Sequence, residues 1–348
     1  MGLVLGIESS CDETAVALVG TDRVIRAQRI ASQEAEHAPY GGVVPEIAAR
    51  AHAERLAPMI EAVLHDAGIG LDQCDAIAAT AGPGLIGGVM VGLVSAKALA
   101  MASGKPLLAI NHLEGHALSP RLADPKLEFP YLLLLVSGGH CQILSVEGLG
   151  RYRRLATTID DALGEAFDKT AKILGLGYPG GPAVERLALA GDPHAVPLPR
   201  PLKRSAEPHF SFAGLKSAVL RAKQSGEYSD ADVAASFQQA AIECLCDRLN
   251  RAIERDGAQP ELGPNLVVAG GVAANRAIRN ALEELAQEHA MGFIAPPMAL
   301  CTDNAAMIAW AGCERLALGQ SDSLEFAARP RWPLDPDALP ARGAGVKA

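Results

Sequence analysis

Aromatic side chains are scarce in this sequence of 348 residues, at 4%. With so few rings the chain cannot stack a series of bases as single-strand nucleic-acid binders do, and its cores must be built from aliphatic residues and alanine. Positive charge is in deficit as well. Lys and Arg number 31 against 40 Asp and Glu, a formal net charge of −9. That excludes a protein that coats a polyanion through its overall field, while leaving room for a local basic face. No Cys-x-x-Cys occurs among the seven cysteines (11, 74, 141, 244, 246, 301 and 313). The odd number and the spacing argue against a disulfide framework or a thiolate zinc site and fit free thiols in a reducing cytosol, so a cytoplasmic protein is expected. The first apolar run carries no basic leader, meets Glu8 at once and is too short for a signal peptide. An uninterrupted apolar span is lacking too. Residues 76–95 carry no charge, but Gly82, Pro83, Gly84, Gly87, Gly88 and Gly92 break them. They read as a buried strand, a glycine turn and a buried helix, and no membrane span is expected.

What is present is ordinary globular material, 49% apolar and 20% charged, and at about 150 residues per domain the length implies two domains. Strands are expected at 3–7, 15–19 and 24–32, then a helix over 46–67 that Pro58 kinks or breaks. A strand at 76–80, a helix ending near Ser103 and a strand at 107–110 follow. The pattern then restarts, with strands at 131–136, 141–146 and 153–158. Ile7 aligned on Val136, an offset of 129 residues, superposes an apolar strand, a small or polar turn, a return strand and a third strand. This predicts an α/β fold of two duplicated lobes, with residues 1–111 as the first, 112–325 as the second and 326–348 as a tail that ends disordered. Helices in the second lobe are expected at 160–174, up to Ala190, and at 214–224, 230–256, 274–288 and 303–317, the last capped by Thr302 or Asp303. A strand is expected at 266–269.

Three kinds of motif carry chemistry. In His112-Leu-Glu114-Gly-His116 the imidazoles are four residues apart, so on a helix they lie about 40° apart on one face and can share a metal ion. A metalloprotease is excluded by geometry. Glu114 would project about 200° from His112, off the metal face, where it cannot hold a metal-bound water. Asp303, after an apolar segment and at a helix start, is a plausible third ligand, and two imidazoles with a carboxylate suit iron or zinc with open positions. The second motif, Gly82-Pro-Gly84-Leu-Ile-Gly87, spells a dinucleotide fingerprint. It lacks the acidic residue expected after the next strand, and a tight packing turn is preferred. The third comprises turns after strands, at 8–14, 137–140 and 269–271. Their bare amides can cradle phosphate or adenosine, and three of them on a duplicated scaffold suggest a nucleotide cleft between the lobes.

The turns Gly6-Ile7-Glu8-Ser9-Ser10-Cys11-Asp12-Glu13-Thr14, Val136-Ser137-Gly138-Gly139-His140 and Gly270-Gly271-Val272-Ala273-Ala274-Asn275 look like the two phosphate motifs and the adenosine motif of the actin/Hsp70/sugar-kinase superfamily. Within it the chain resembles the family of tRNA threonylcarbamoyladenosine transferases. The likeness rests on Tyr40-Gly-Gly-Val-Val-Pro45-Glu46, Gly82-Pro-Gly-Leu, Asn111-His-Leu-Glu-Gly-His116, Asp160-Asp-Ala-Leu-Gly-Glu-Ala-Phe-Asp168-Lys, Tyr178-Pro-Gly-Gly-Pro182, Phe210-Ser-Phe-Ala-Gly-Leu-Lys216 and Cys301-Thr-Asp-Asn304. These span residues 3 to about 315, and Val43-Val44-Pro45-Glu46 resembles the bacterial branch. The resemblance implies actin-like lobes with the active site in the cleft between them. It also implies transfer of the threonylcarbamoyl group from threonylcarbamoyl-AMP to N6 of adenosine 37 in tRNAs reading ANN codons. His112, His116 and Asp303 match metal ligands, usually assigned to iron, and Leu135, Val136, Ser137, Gly138, Gly139, Asp168, Gly181 and Asn275 match nucleotide-contacting positions. Partners implied are tRNA through its anticodon loop, a paralogous actin-like subunit (TsaB) and a small ATPase (TsaE).

Asp12 and Glu13 are candidates for a base acting on the attacking amine, with Glu13 preferred. Two alternatives remain open on the residues themselves: an ATP-dependent phosphotransferase, in which the histidine pair has no task, and a non-catalytic nucleotide-gated scaffold, which has no need of it. Basic clusters at Arg200, Lys203, Arg204, Lys216, Arg221 and Lys223, and at Arg151, Arg153 and Arg154, are candidate RNA-docking surface on an otherwise acidic chain.

Overall fold

The computed structural model describes residues 2–341 apart from 41, 178, 204 and 257–261. Gly41 and Tyr178 of the family-like motifs, Arg204 of the basic cluster and the end of the tail at 342–348 therefore lie outside the described residues. In chain order the strands are β1 (Leu3–Glu8), β2 (Glu13–Gly20), β3 (Ile25–Ser32), β4 (Ala76–Gly82), β5 (Leu107–Asn111), β6 (Tyr131–Val136), β7 (Cys141–Gly148), β8 (Arg151–Thr157), β9 (Asn265–Ala269) and β10 (Gly292–Ile294). The helices are α1 (Glu34–His37), α2 (Pro45–Ala67), α3 (Ile86–Ser103), α4 (His112–Ala123), α5 (Leu163–Leu174), α6 (Gly180–Ala188), α7 (Ala213–Ser225), α8 (Asp230–Asp256), α9 (Arg276–Glu288) and α10 (Ala305–Ala317).

The strands form two five-stranded sheets of one plan. The first has the order β3-β2-β1-β4-β5 and the second β10-β9-β6-β7-β8. In each, the leading strand pairs antiparallel with the next and parallel with the fourth, so β1 lies between β2 and β4, and β6 between β7 and β9. The duplication expected from the 129-residue offset is thus present as a repeated topology. Strands covered on both faces read as continuous apolar runs. The run Leu-Leu-Leu-Leu-Val at 132–136 is wholly buried, as is every residue of β4, whereas β3, at a sheet edge, alternates apolar residues with Arg26 and Arg29 and is largely exposed.

The chain divides into two compact units that are discontinuous in sequence. One comprises residues up to Glu128 together with Pro296–Pro336; the other comprises Phe129–Ala295 and the segment from Asp337. The boundaries expected at 111/112 and 325/326 differ from these. Helix α4 stays with the first sheet, and α10 returns to it from the far end of the chain. The reason is close packing at glycines. A Cβ on Gly6 of β1 would lie 2.6 Å from both the Ala305 carbonyl and the Ala309 nitrogen, and one on Gly115 of α4 would lie 2.8 Å from Ile308. Helix α10 therefore seats directly on β1 and α4.

Several local expectations shift for identifiable reasons. Helix α5 begins at Leu163 instead of 160 because Asp160 serves another helix: its carboxylate accepts the Ser211 hydroxyl and the backbone N–H of Phe212 at 2.8 Å, holding the start of α7. Helix α10 is capped by Asn304, whose side chain accepts from Met307 N–H at 2.9 Å, so neither Thr302 nor Asp303 serves as its cap. Pro58 lies inside α2 without ending it. Strand β10 escapes prediction, being three residues long at a sheet edge. The helix over 86–103 is not buried throughout. Ile86, Met90, Val94 and Met101 are exposed, and it is the one helix among the described residues long and apolar enough to cross a membrane.

The contact at Gly6 generates a stability prediction. Gly6→Ala leaves the composition of the core almost unchanged but overpacks the seat of α10, and it is expected to lower stability by about 1–3 kcal/mol in urea unfolding; an unchanged midpoint would show that the helix can back away from β1.

Candidate metal centre

The centre is assembled at the ends of three strands of the first sheet and at the start of one helix. Strand β1 ends at Glu8, β4 carries Thr80, and β5 runs straight into α4 at Asn111. Asn111 caps that helix, its Oδ1 accepting from Leu113 N–H at 2.9 Å, so His112 and His116 occupy the first turns with their rings on one face. The ring centroids are 4.8 Å apart and perpendicular. Because Asn304 takes the capping role at α10, Asp303 is released to face the histidines. Its Oδ1 lies 3.0 Å from His116 Nε2 and 3.6 Å from His112 Nε2.

One potential ligand atom from each of His112, His116 and Asp303 lies within 4.8 Å of the others. The side chains of the two histidines are 9% and 1% exposed and that of Asp303 is 22% exposed, so the group is buried with one side accessible. The sequence expectation of a histidine pair joined by a distant aspartate is met in space. Glu114 is buried and does not belong to this group.

The sequence reading missed the residue behind His112. Glu8 is 1% exposed, and its carboxylate accepts from Ser10 N–H at 2.6 Å, from the Thr80 hydroxyl at 2.6 Å and from His112 Nδ1 at 3.0 Å. A carboxylate on Nδ1 fixes the tautomer and turns Nε2 toward the ligand position, the arrangement that orients metal-binding histidines. The only signal in the sequence was an acidic residue closing an apolar strand, which reads equally well as a turn.

Electrostatics point the same way. Burial raises the Glu8 pKa, but the facing His112 outweighs it and the net shift is downward. Burial lowers the His112 pKa, yet Asp303 and Glu8 together raise it to about 9. Glu13, at the start of β2, is pushed up to about 10 by burial and by the negative charge of Asp303, Asp12 and Glu8. Carboxylates crowded in this way favour a cation in their midst. His116 Nδ1 is buried without a hydrogen-bond partner, while its Nε2 faces Asp303. The donor set, two imidazole nitrogens and a carboxylate oxygen with one open side, fits a divalent iron or zinc ion.

The other expected site residues lie in the second unit. Leu135 and Val136 are fully buried within β6 and carry the chain to the turn beyond it. Ser137 closes that turn: its N–H donates to the His140 carbonyl at 2.8 Å, and its hydroxyl accepts from His140 N–H at 3.1 Å. A Cβ on Gly138 or Gly139 would meet nothing within 4 Å, so internal packing does not require glycine there. Gly270, by contrast, takes a φ of +95° against the Val136 carbonyl, which only glycine accommodates readily. The Asp168 carboxylate accepts from Gly180 N–H at 2.9 Å and ties α5 to the start of α6, where Gly181 faces open space. Asn275 caps α9 through Ile278 N–H at 3.0 Å and donates to Gln238 at 2.9 Å, so it has a structural task of its own.

A pair of sheets sharing one strand order belongs to the actin-like class of α/β proteins, and comparison with solved structures agrees. HypF from T. kodakarensis superposes with a TM-score of 0.59 at 16% identity, over 91% of this chain and 48% of that one. Component A of the (R)-2-hydroxyglutaryl-CoA dehydratase of Acidaminococcus fermentans gives 0.54 at 16% identity, over 91% and 100%. At these identities the likeness establishes the fold alone. Sequence comparison is more specific. Residues 24–310 match the family model for TsaD, tRNA N6-adenosine threonylcarbamoyltransferase. A relative of that name from Erythrobacter litoralis (strain HTCC2594) is 77% identical over 348 residues, covering all of both chains. The chain belongs to this family of transferases.

The role assigned to Glu8 can be measured directly. Glu8→Gln is expected to weaken zinc or iron binding by about tenfold or more, read by competition with a chelator; wild-type affinity in that variant would remove Glu8 from the centre.

Proposed function

We propose that this protein transfers the threonylcarbamoyl group of threonylcarbamoyl-AMP to N6 of adenosine 37 in tRNAs reading ANN codons. The observation that carries this reading is the buried His112–His116–Asp303 group, backed by Glu8, in a chain of this transferase family. In the reaction the N6 amine forms a bond to the threonylcarbamoyl carbonyl carbon. The bond from that carbon to the phosphate oxygen breaks, AMP leaves, and the amine gives up a proton.

The chain's own residues divide these tasks. His112, His116 and Asp303 would hold a divalent metal, iron or zinc, which when bound supplies Lewis acidity toward a carbonyl or phosphate oxygen. Glu8 keeps His112 in the ligating tautomer. The amides of Gly138 and Gly139 make no internal hydrogen bond among the described residues, and with no side chain at either position a phosphate can approach the backbone closely. Glu13 is the proposed base. Its raised pKa keeps it protonated at neutral pH when the neighbouring carboxylates are uncompensated, and a cation among them would lower it toward a basic form. The phosphotransferase alternative leaves this buried group without a task. Further parts of the proposal are a cytoplasmic location and work alongside an actin-like paralogue (TsaB) and a small ATPase (TsaE).

The basic clusters need re-reading as RNA-docking surface. Arg200 is paired with Glu243 at 2.8 Å, Lys223 with Asp230 at 2.5 Å, and Arg153 lies 3.4 Å from Asp256. Among the described residues Lys203, Lys216 and Arg221 make no ion pair, and they are the cations proposed to meet the phosphates of the anticodon loop.

Two experiments test this reading. In a reconstituted reaction with threonylcarbamoyl-AMP and the partner proteins, His112→Ala or His116→Ala is expected to reduce threonylcarbamoyladenosine to background in mass analysis of tRNA nucleosides; normal product from metal-depleted His112→Ala would sink the metal role. In filter-binding titrations, Lys216→Ala and Arg221→Ala are each expected to weaken tRNA binding and lower the slope of its salt dependence by about one, whereas an unchanged slope would move the docking surface elsewhere.

A further inference from the structure

The glycine motif at 82–87 has no part in the proposed chemistry, yet the structure accounts for the first of its glycines through a segment beyond the family match. After α10 the chain runs back along β5. Asp322 N–H donates to the Leu107 carbonyl at 2.8 Å, and the Asp322 carboxylate accepts from Ala109 N–H at 2.8 Å. Phe326 and Trp332 then pack on a small core of Ala81, Leu93 and Ala109. The Arg329 guanidinium sits over both rings, 4.6 Å from Phe326 and 4.9 Å from Trp332, and Arg329 N–H donates to the Ala81 carbonyl at 2.7 Å. Gly82 takes a φ of +136°, and any side chain there would run into the Arg329 carbonyl. Gly84 is closed off in the same way by Ser10. The start of the motif is therefore a seat for this returning segment, through Gly82 and through Gly84 N–H, which donates to the Pro330 carbonyl at 3.3 Å.

The last contact reaches the metal centre. The Trp332 carbonyl accepts from Asn111 Nδ2 at 2.9 Å. Asn111 is the residue that caps α4 with its other side-chain atom and immediately precedes His112. Both polar atoms of the Asn111 amide are thus engaged, one by the helix it caps and one by the returning segment.

We propose that residues 322–332 are a strap that positions the metal-binding helix, acting through the Trp332 carbonyl on Asn111. Asn111 and Trp332 are positioning residues for the ligand set, not ligands. The inference rests on the metal reading above.

The test is a double-mutant cycle on metal affinity, using zinc and a competing chelator with the full-length protein. Asn111→Ser keeps a helix cap but is too short to reach the Trp332 carbonyl while capping; Trp332→Ala removes the ring that packs against Phe326 and Arg329 and holds the strap. Each is expected to weaken zinc binding by about tenfold, and the double variant no more than either alone, since both break one connection. Thermal melting of the metal-free Asn111→Ser variant is expected to stay close to wild type. Zinc affinity unchanged in both single variants, or losses that multiply in the double variant, would overturn the strap. Failure of the wild-type protein itself to bind zinc or iron would instead overturn the metal reading.

Discussion

A hydrogen bond between two buried side chains, Glu8 and His112, organises the first unit. A carboxylate withdrawn from water is costly unless donors surround it. Here three do, and they come from three places in the chain: the Ser10 amide, the Thr80 hydroxyl and the His112 ring. Meeting that requirement aligns the ends of β1, β4 and β5. It also leaves His112 Nε2 and His116 Nε2 facing the same oxygen of Asp303. The glycines at 6 and 115 let α10 come close enough to bring Asp303 there. The ligand set is therefore assembled by the same contacts that join the strand ends of this unit.

Much of the fold was legible because covered strands leave an unmistakable trace. The run in β6 is apolar throughout and those in β1 and β4 are interrupted only by Glu8 and Thr80, and helix α8 agrees with its expected extent, Asp230–Asp256. The misreadings occurred where an acidic or amide side chain serves a partner distant in sequence. Asp160 looks like a helix start but holds Phe212, and Asp303 looks like a cap but is displaced by Asn304. Periodicity is silent on such choices, as it is on the return of residues 296–336 to the first unit. At the centre, the spacing of His112 and His116 was informative because helical geometry makes it so. Glu8 was not, since its task depends on a histidine 104 positions away.

The two sheets share a strand order but use the equivalent turn differently. After β1 the turn is filled with polar side chains bonded to one another. After β6 it is left bare, with Gly138 and Gly139 open to their surroundings. A duplicated scaffold has thus diverged into one turn that organises side chains and one that offers backbone. The acidic balance fits this division: Arg200, Lys223 and Arg153, three of the cations expected to face RNA, are occupied in pairing carboxylates of the same unit.

The first unit takes its sequence from both ends of the chain, and this has a consequence for biosynthesis. His112 and His116 leave the ribosome early, whereas Asp303 and the segment that braces Asn111 are made only after the whole of Phe129–Ala295. A nascent or prematurely terminated chain holds two imidazoles and lacks the aspartate. The proposed ligand set is thus complete only once Asp303 has been made, after the whole of the second unit's Phe129–Ala295.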